Sequence, residues 1–512
     1  MLDDLTAYLA PGPARLPVDA VLADDTDRLI LSTAEDEGLC ERDGDVLIID
    51  DAHGALTLAT LRRVTVSANA DPRNANPANS CLENADLANS CLENADRGNT
   101  SPESASPGSV GPGDTGYDAA SAGLDRNVVV WCASQSAALA VRESVDAAIT
   151  AGALDERAHA QLKIAGLDPN TPVDLGELMA THNVSMLLMR LPKTLAALER
   201  TVYSAAHHGC SAIVAGGRIK HMNLSQNEVL SRGFERVHAT RGLKKARCLV
   251  AQGPLAHGAQ GPLAHGAQGP SPHMPEAGEA SAVSSEWAKD NREVPQTLQT
   301  IQETLQTIRG AAPGRAPQPT QGQWNGIELR GIGGVFGSAK ADAGSVLLLE
   351  TLRRSFRKAP SGHPVNRVER AIDFGCGNGL LTAELARLLP DAEIIGSDDD
   401  LDAVSSTRAT LAASGLEREG IHVRWDHSLS QERDASADLI VLNPPFHQGY
   451  AIVPGQIQAL FDACARVLRP GGELWVVHNS HLRYRMEMER RVGPVDQLAR
   501  DRRFTVLRAT AV

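Results

Sequence analysis

Residues 370–389 read "RAIDFGCGNGLLTAELARLL", and this stretch decides the fold. An apolar run, Ala371 to Phe374, enters a turn of Gly375, Cys376, Gly377, Asn378 and Gly379, then a helical pattern of leucines and alanines. A buried strand passing through glycines into a helix is the opening unit of a parallel sheet with helices on its faces. The glycines let backbone approach a ligand closely, and the helix start offers unpaired N–H groups. The spacing is GxGxG, because Leu380 stands where the dinucleotide fingerprint GxGxxG needs its last glycine.

Working outward, a second strand, "AEIIGSDDD", ends in acids, and Asp398 follows Gly379 by 19 residues. A carboxylate there can accept both hydroxyls of a ribose. A third strand ends at Asp426-His427, placed to meet an adenine edge. The glycine turn, the acid Asp373 before it and the acid after strand two resemble the S-adenosylmethionine (SAM) site of class I methyltransferases. That resemblance puts Asp373 near the methionine ammonium. Cys376 reads as a small loop filler, since methylation at nitrogen needs no covalent step.

The fourth strand ends in "ADLIVLNPPFHQGY", residues 437–450. Proline cannot donate to a sheet ladder, so the strand must stop at Asn443, and Pro444 and Pro445 make a stiff corner. An exocyclic amine on a base is a poor nucleophile because its lone pair is conjugated into the ring. The Asn443 side-chain oxygen and the Pro444 carbonyl can each accept one N–H of such an amine, and Phe446 can stack on the base. His447 is a proton relay or an ordinary surface histidine.

The 512 residues call for more than one domain. The net charge of −14 is unevenly placed, with 22 basic against 23 acidic residues in 331–512 and 3 against 14 in 1–60. The second half can therefore hold a local basic groove despite the acidic total. The eight cysteines show no metal-ligand spacing, so free thiols and no metal are expected. No apolar run reaches the ~20 residues needed to span a bilayer, and the opening "MLDDLTAYLA" is acidic. A cytoplasmic monomer is the expectation.

Three stretches are expected to be disordered: a tandem decamer in 77–96, an octapeptide repeat in 251–270, and two heptads in 296–309. The remainder forms two α/β blocks. The expected organisation is 1–249 as a first domain with a disordered insertion at about 68–123, then 250–322 as a low-complexity linker. Residues 323–512 form the second, catalytic domain, expected to bind the cofactor alone. In the first block the corresponding turn, "DDAHGAL", keeps only Gly54, and Asn-Pro-Pro is absent. That block is expected to be inactive, and Arg232, Arg236, Arg241, Lys244, Lys245 and Arg247 form a basic cluster in it.

"NPPFHQ", "GGELWVVHNSHLRY" and "GGVFGSAKADAGSVLLLETL" resemble the ribosomal RNA guanine-N2 methyltransferases, and "RLPKTLAALE" and "KKARCLV" resemble that family's amino-terminal domain. The resemblance implies two tandem Rossmann-like, seven-stranded methyltransferase domains, the first degenerate. It also implies SAM as cofactor and ribosomal RNA, free or in a ribosomal subunit, as partner, captured by the first block through its basic cluster. The same corner chemistry leaves protein-glutamine and DNA adenine-N6 methylation open, as well as a non-enzymatic RNA-binding assembly role.

Overall fold

Asp45–Ile49 (β1), Val128–Trp131 (β2), Leu162–Ala165 (β3), Val184–Arg190 (β4), Ala212–Arg218 (β5), Phe234–Ala239 (β6) and Ala246–Pro254 (β7) form one sheet. Its strand order is β3-β2-β1-β4-β5-β7-β6. A hairpin follows, Thr320–Trp324 (β8) with Ile327–Gly331 (β9). The second sheet contains Arg370–Phe374 (β10), Glu393–Asp398 (β11), Ile421–Trp425 (β12), Ala437–Leu442 (β13), Leu468–Asn479 (β14), Val495–Arg500 (β15) and Phe504–Thr510 (β16). Its order, β12-β11-β10-β13-β14-β16-β15, repeats the first. The computed structural model describes residues 2–10, 12, 21–38, 42–70, 126–255, 316–358, 368–444 and 454–512. The decamer repeat, the heptads, the octapeptide repeat beyond Leu255, and Pro445, Phe446 and His447 lie outside the described residues.

The parallel sheets expected from sequence are mixed sheets. β7 pairs antiparallel with β5 and β6, and β16 with β14 and β15. The reason is connection length: β6–β7 and β15–β16 are joined by short turns, which permit only antiparallel neighbours, whereas a parallel pair needs a crossover. The five other strands of each sheet are parallel, and their central members are buried from end to end, as β1 and β10 show.

The order reverses between β1 and β4, and again between β10 and β13, which makes each a topological switch point. The glycine turn follows β10 and Asn443 follows β13, so the two motifs flank one crevice. The duplication also shows what the first domain lost. Gly54 and Gly379 stand equally far beyond Ile49 and Phe374, with φ of 84° and 82°. Both pack against a neighbouring helix, Gly54 against Ser144 and Gly379 against Thr407. Where Gly375 follows β10, Asp50 follows β1 at φ 52°, and its carboxylate accepts the Ala133 N–H at 2.8 Å. Where Asp398 follows Ser397, Cys132 follows Trp131. The first turn thus keeps the glycine that packs a helix and lacks those that would admit a ligand.

The two domains share a core. Leu401, Val404 and Trp425 of the second join the apolar cluster of Trp131, Leu198 and Met189 on one face of the first sheet. A β-carbon on Gly166 would sit 2.2 Å from the Trp425 ring, so the absence of a side chain there makes room for the indole. Trp425 Nε1 donates to the Ala133 and Asp399 carbonyls at 3.1 and 2.8 Å.

Candidate functional site

Gly375 and Gly377 hold φ of 82° and 53°, and no atom lies within 4 Å of a β-carbon built on either. Side chains there would be strained in backbone and would fill the space above the turn. Asp373 lies beneath, wholly buried; its Oδ2 accepts Thr382 Oγ1 at 2.6 Å, while its Oδ1 has no partner among the described residues. Burial pushes its carboxyl up to about 7, with the Asp398 charge adding to the rise. A buried acceptor with an unused oxygen favours a cationic donor, as the methionine ammonium of SAM is. The glycine cradle and this oxygen fit that cofactor.

Asp398 ends β11 across the turn. Its oxygens accept Gly377 N at 2.9 Å and Asp400 N at 3.0 Å, which leaves lone pairs for ribose hydroxyls. Its enclosed position pushes its pKa up to about 6. Cys376 is buried, and desolvation raises its thiol well above the ordinary range, so it stays protonated. The Asn378 amide donates to the Ser338 and Lys340 carbonyls, both at 2.9 Å, tying the turn to the segment before the helix Ala343–Lys358.

That segment also holds the acceptor corner. Asn443 Nδ2 donates to Asp342 Oδ2 at 3.1 Å and Ser345 Oγ at 2.8 Å. A carboxylate can only accept, so the amide must turn its NH2 that way. Asn443 Oδ1 is left buried without a partner among the described residues. Pro444 is buried beside it. Sequence reasoning missed Asp342 and Ser345 as site residues. Their local signal is a helix start, where Ser345 N donates to Asp342 Oδ2, but nothing local joins them to a residue about a hundred positions on.

The Asp426 carboxylate is turned into its own loop, and the backbone N–H and ring Nδ1 of His427 face the first domain. The Asp426 carboxylate accepts Ser430 N, Ser430 Oγ and Gln431 N, closing its own turn. His427 donates its backbone N–H to Gln135 Oε1 and sets its ring Nδ1 against the same oxygen, both at 2.9 Å. Gln135 belongs to the first domain. Next to it Ser134 Oγ and Ser136 Oγ donate to Asp399 Oδ2 at 2.6 Å, and Ser136 N donates to Asp399 Oδ1 at 2.8 Å. The acid adjoining Asp398 therefore caps the first-domain helix Gln135–Thr150. Sequence reasoning missed this clamp on the loop after β11.

The basic run expected to capture RNA is divided between a helix, two strands and a turn. Arg232 pairs with Glu199 and Lys244 with Asp25, while Arg236 and Arg241 are exposed. Among the described residues no three His, Cys, Asp or Glu side chains are placed to hold a metal ion, and no helix is long and apolar enough to cross a membrane.

Comparison with known proteins follows the same division. Residues 326–508 match the family described as methyltransferase small domain, and residues 134–254 match the RLMG N-terminal domain. The chain is 30% identical over 329 residues to the ribosomal RNA large subunit methyltransferase G of Pseudomonas paraeruginosa, covering 63% of this chain and 70% of that protein. It is 28% identical over 361 residues to the protein of the same name from Streptomyces coelicolor, covering 69% and 79%. Among solved structures, a T. thermophilus 16S rRNA N2 methyltransferase, in complex with AdoMet and guanosine, superposes with a TM-score of 0.54 at 18% identity. That likeness spans 99% of this chain and 100% of the other, and it concerns the fold.

Proposed function

Because this chain belongs to the ribosomal RNA large subunit methyltransferase G family, we propose that it methylates the N2 amine of a guanine in ribosomal RNA, with SAM as donor. The observation that carries the reading is Asn443, whose amide is pinned by Asp342 and Ser345 while Oδ1 stays buried and unpaired. A buried acceptor without a donor is costly, and a substrate N–H satisfies it.

SAM, when bound, supplies an electrophilic methyl group on its sulfonium. Asp373 and Asp398 are the residues that would hold its ammonium and ribose, over the open face of Gly375 and Gly377. Asn443 Oδ1 and the Pro444 carbonyl accept the two N–H groups of the guanine amine, which fixes its plane and aims the nitrogen lone pair. Phe446 is assigned the face of the base on sequence grounds. Catalysis here is positioning and electrostatics, and the amine proton leaves without a strong base. The first domain contributes to the same site through the Gln135 and Ser136 contacts to His427 and Asp399. Cofactor and acceptor residues come from one chain, so a monomer suffices, and a ribosomal RNA substrate puts its work in the cytoplasm.

The test is the product. Incubation with labelled SAM and ribosomal RNA, followed by nucleoside analysis, is expected to yield N2-methylguanosine. N6-methyladenosine would move the enzyme to another amine substrate. A methylated base carbon would refute the assigned role of Asn443.

SAM affinity is expected to depend on pH. A cation and hydroxyl donors bind the ionised carboxylates, so below pH 7 binding must first expel a proton from Asp373, and below pH 6 one from Asp398 as well. Affinity should fall as pH drops from 8 to 5.5, approaching about tenfold per pH unit for each protonated group. Calorimetry in two buffers of different ionisation heat would show proton release at pH 6 and little at pH 8. A flat profile would remove both acids from the cofactor site.

A further inference from the structure

The turn joining β15 to β16 carries the sequence Arg500-Asp501-Arg502-Arg503, and its position follows from strand register. β13 and β14 are parallel, with Leu442 opposite Val476, so Asn443 and Asn479 leave the sheet at the same edge. β16 runs antiparallel to β14 with Phe504 opposite Asn479, which brings the turn to that edge too. Ser480 N donates to the Arg503 carbonyl at 2.7 Å, and Ser480 Oγ meets Thr505 Oγ1 at 2.8 Å. These contacts fasten the turn to the segment that carries His481 and Arg483.

Arg483, Arg500, Arg502 and Arg503 are all exposed, and none forms an ion pair among the described residues. Neighbouring arginines behave otherwise. Arg485 pairs with Glu489, Arg490 with Glu487, Arg491 with Asp462, and Arg508, towards the other end of the same hairpin, with Asp496 and Glu473. The acid within the turn, Asp501, accepts the N–H groups of Arg503 and Phe504, both at 2.6 Å, so its carboxylate is committed to backbone. Among the arginines of residues 483–508, those without an ion pair among the described residues lie at the catalytic edge.

The rim also borders the acceptor corner. The Arg503 guanidinium lies over the Phe504 ring, 5.2 Å from its centroid. That ring comes within 3.3 Å of a β-carbon built on Gly344, which sits between Asp342 and Ser345, the partners of Asn443.

We propose that Arg483, Arg500, Arg502 and Arg503 form a phosphate-binding rim that holds the RNA backbone beside the target guanine. The inference rests on RNA being the substrate, as argued above. Guanidinium forks match phosphate oxygens, and a rim beside the base acceptor grips the strand that carries the base. It adds a second-domain contact to the first-domain run, where Arg232 and Lys244 are paired and Arg236 and Arg241 are exposed.

The test uses the full chain with Arg502→Ala/Arg503→Ala, and Arg502→Glu as a second variant. SAM affinity and the thermal midpoint should stay near wild type, because neither side chain forms an ion pair or lines the cofactor crevice. RNA KM should rise about tenfold or more for the double variant, with kcat at saturating RNA little changed. The slope of log affinity for ribosomal RNA against log salt should shrink by about 1.4–1.8, for two lost phosphate contacts. An unchanged KM and slope in an enzyme that still forms N2-methylguanosine would overturn the rim and leave the function standing. Wild-type enzyme that forms no N2-methylguanosine would overturn the function, and the salt slope would still judge the rim. Unchanged RNA binding with lost binding to polyglutamate would assign the rim to an acidic protein and refute the proposal.

Discussion

Asn443→Ala should lower kcat on the order of 10²–10³-fold while SAM affinity stays close to wild type. The side chain hydrogen-bonds to Asp342 and Ser345 and, among the described residues, to none of the cofactor candidates, so its loss should leave the glycine turn, Asp373 and Asp398 in place. What disappears is the buried oxygen assigned to accept an amine N–H. An interaction that orients the lone pair counts mainly in the transition state, so the loss falls on kcat. The partners give the sharper experiment. Asp342→Asn keeps an acceptor for the Asn443 amide and for Ser345 N, and should retain most activity. Asp342→Ser keeps a good helix cap but has a shorter reach, so it should preserve the thermal midpoint and lose turnover. If Asp342→Asn were as inactive as Asn443→Ala, Asp342 would be a proton acceptor and the positioning account would fail. If Asn443→Ala abolished SAM binding, the corner would belong to the cofactor.

Trp425→Ala should destabilise the protein by about 3–5 kcal/mol, the usual cost of emptying a buried aromatic site. The indole is 1% exposed and belongs to the apolar cluster of the first sheet although it ends a strand of the second. Its removal leaves a cavity against Gly166 and takes the shared donor from the Ala133 and Asp399 carbonyls. The consequence extends to the cofactor loop, because Asp399 is also held by Ser134 and Ser136. SAM affinity should therefore fall in the same variant. Residues 323–512 alone, expected from sequence to bind the cofactor, should instead be unstable, since Leu401, Val404 and Trp425 would lose their cover. Denaturant unfolding of Trp425→Ala with an unchanged midpoint, or calorimetric SAM binding by the isolated second domain, would contradict this coupling.

The cofactor half of the site was legible for a local reason. A strand, three glycines and a helix lie within 20 consecutive residues, and the positive φ of Gly375 and Gly377 is a constraint that only residue type can meet cheaply. The acceptor corner was half legible. Asn443 and Pro444 stand out because a proline must end a strand. Nothing in "ADLIVLNPPF" states which oxygen of the corner is free, because Asp342, 101 residues earlier, decides that. Asp426 and His427 open the loop after β12. That loop's polar atoms turned out to be shared with its own backbone and with Gln135, 292 residues away.

Residue order was sufficient for whatever depends on neighbours along the chain. It specified two α/β units, the intact glycine turn of the second, the single Gly54 of the first, and the strand that stops at Asn443. The folded chain decided what depends on residues brought together from afar. It placed β7 beside β5 and β16 beside β14, aimed Asn443 Oδ1, clamped Asp399 with Ser134 and Ser136, and set the unpaired arginines of the last hairpin beside the acceptor. The physical reason is range. Backbone dihedrals and hydrophobic periodicity are set within a few residues. Which buried polar atom is satisfied, and which charge is left exposed, depends on partners that only packing selects.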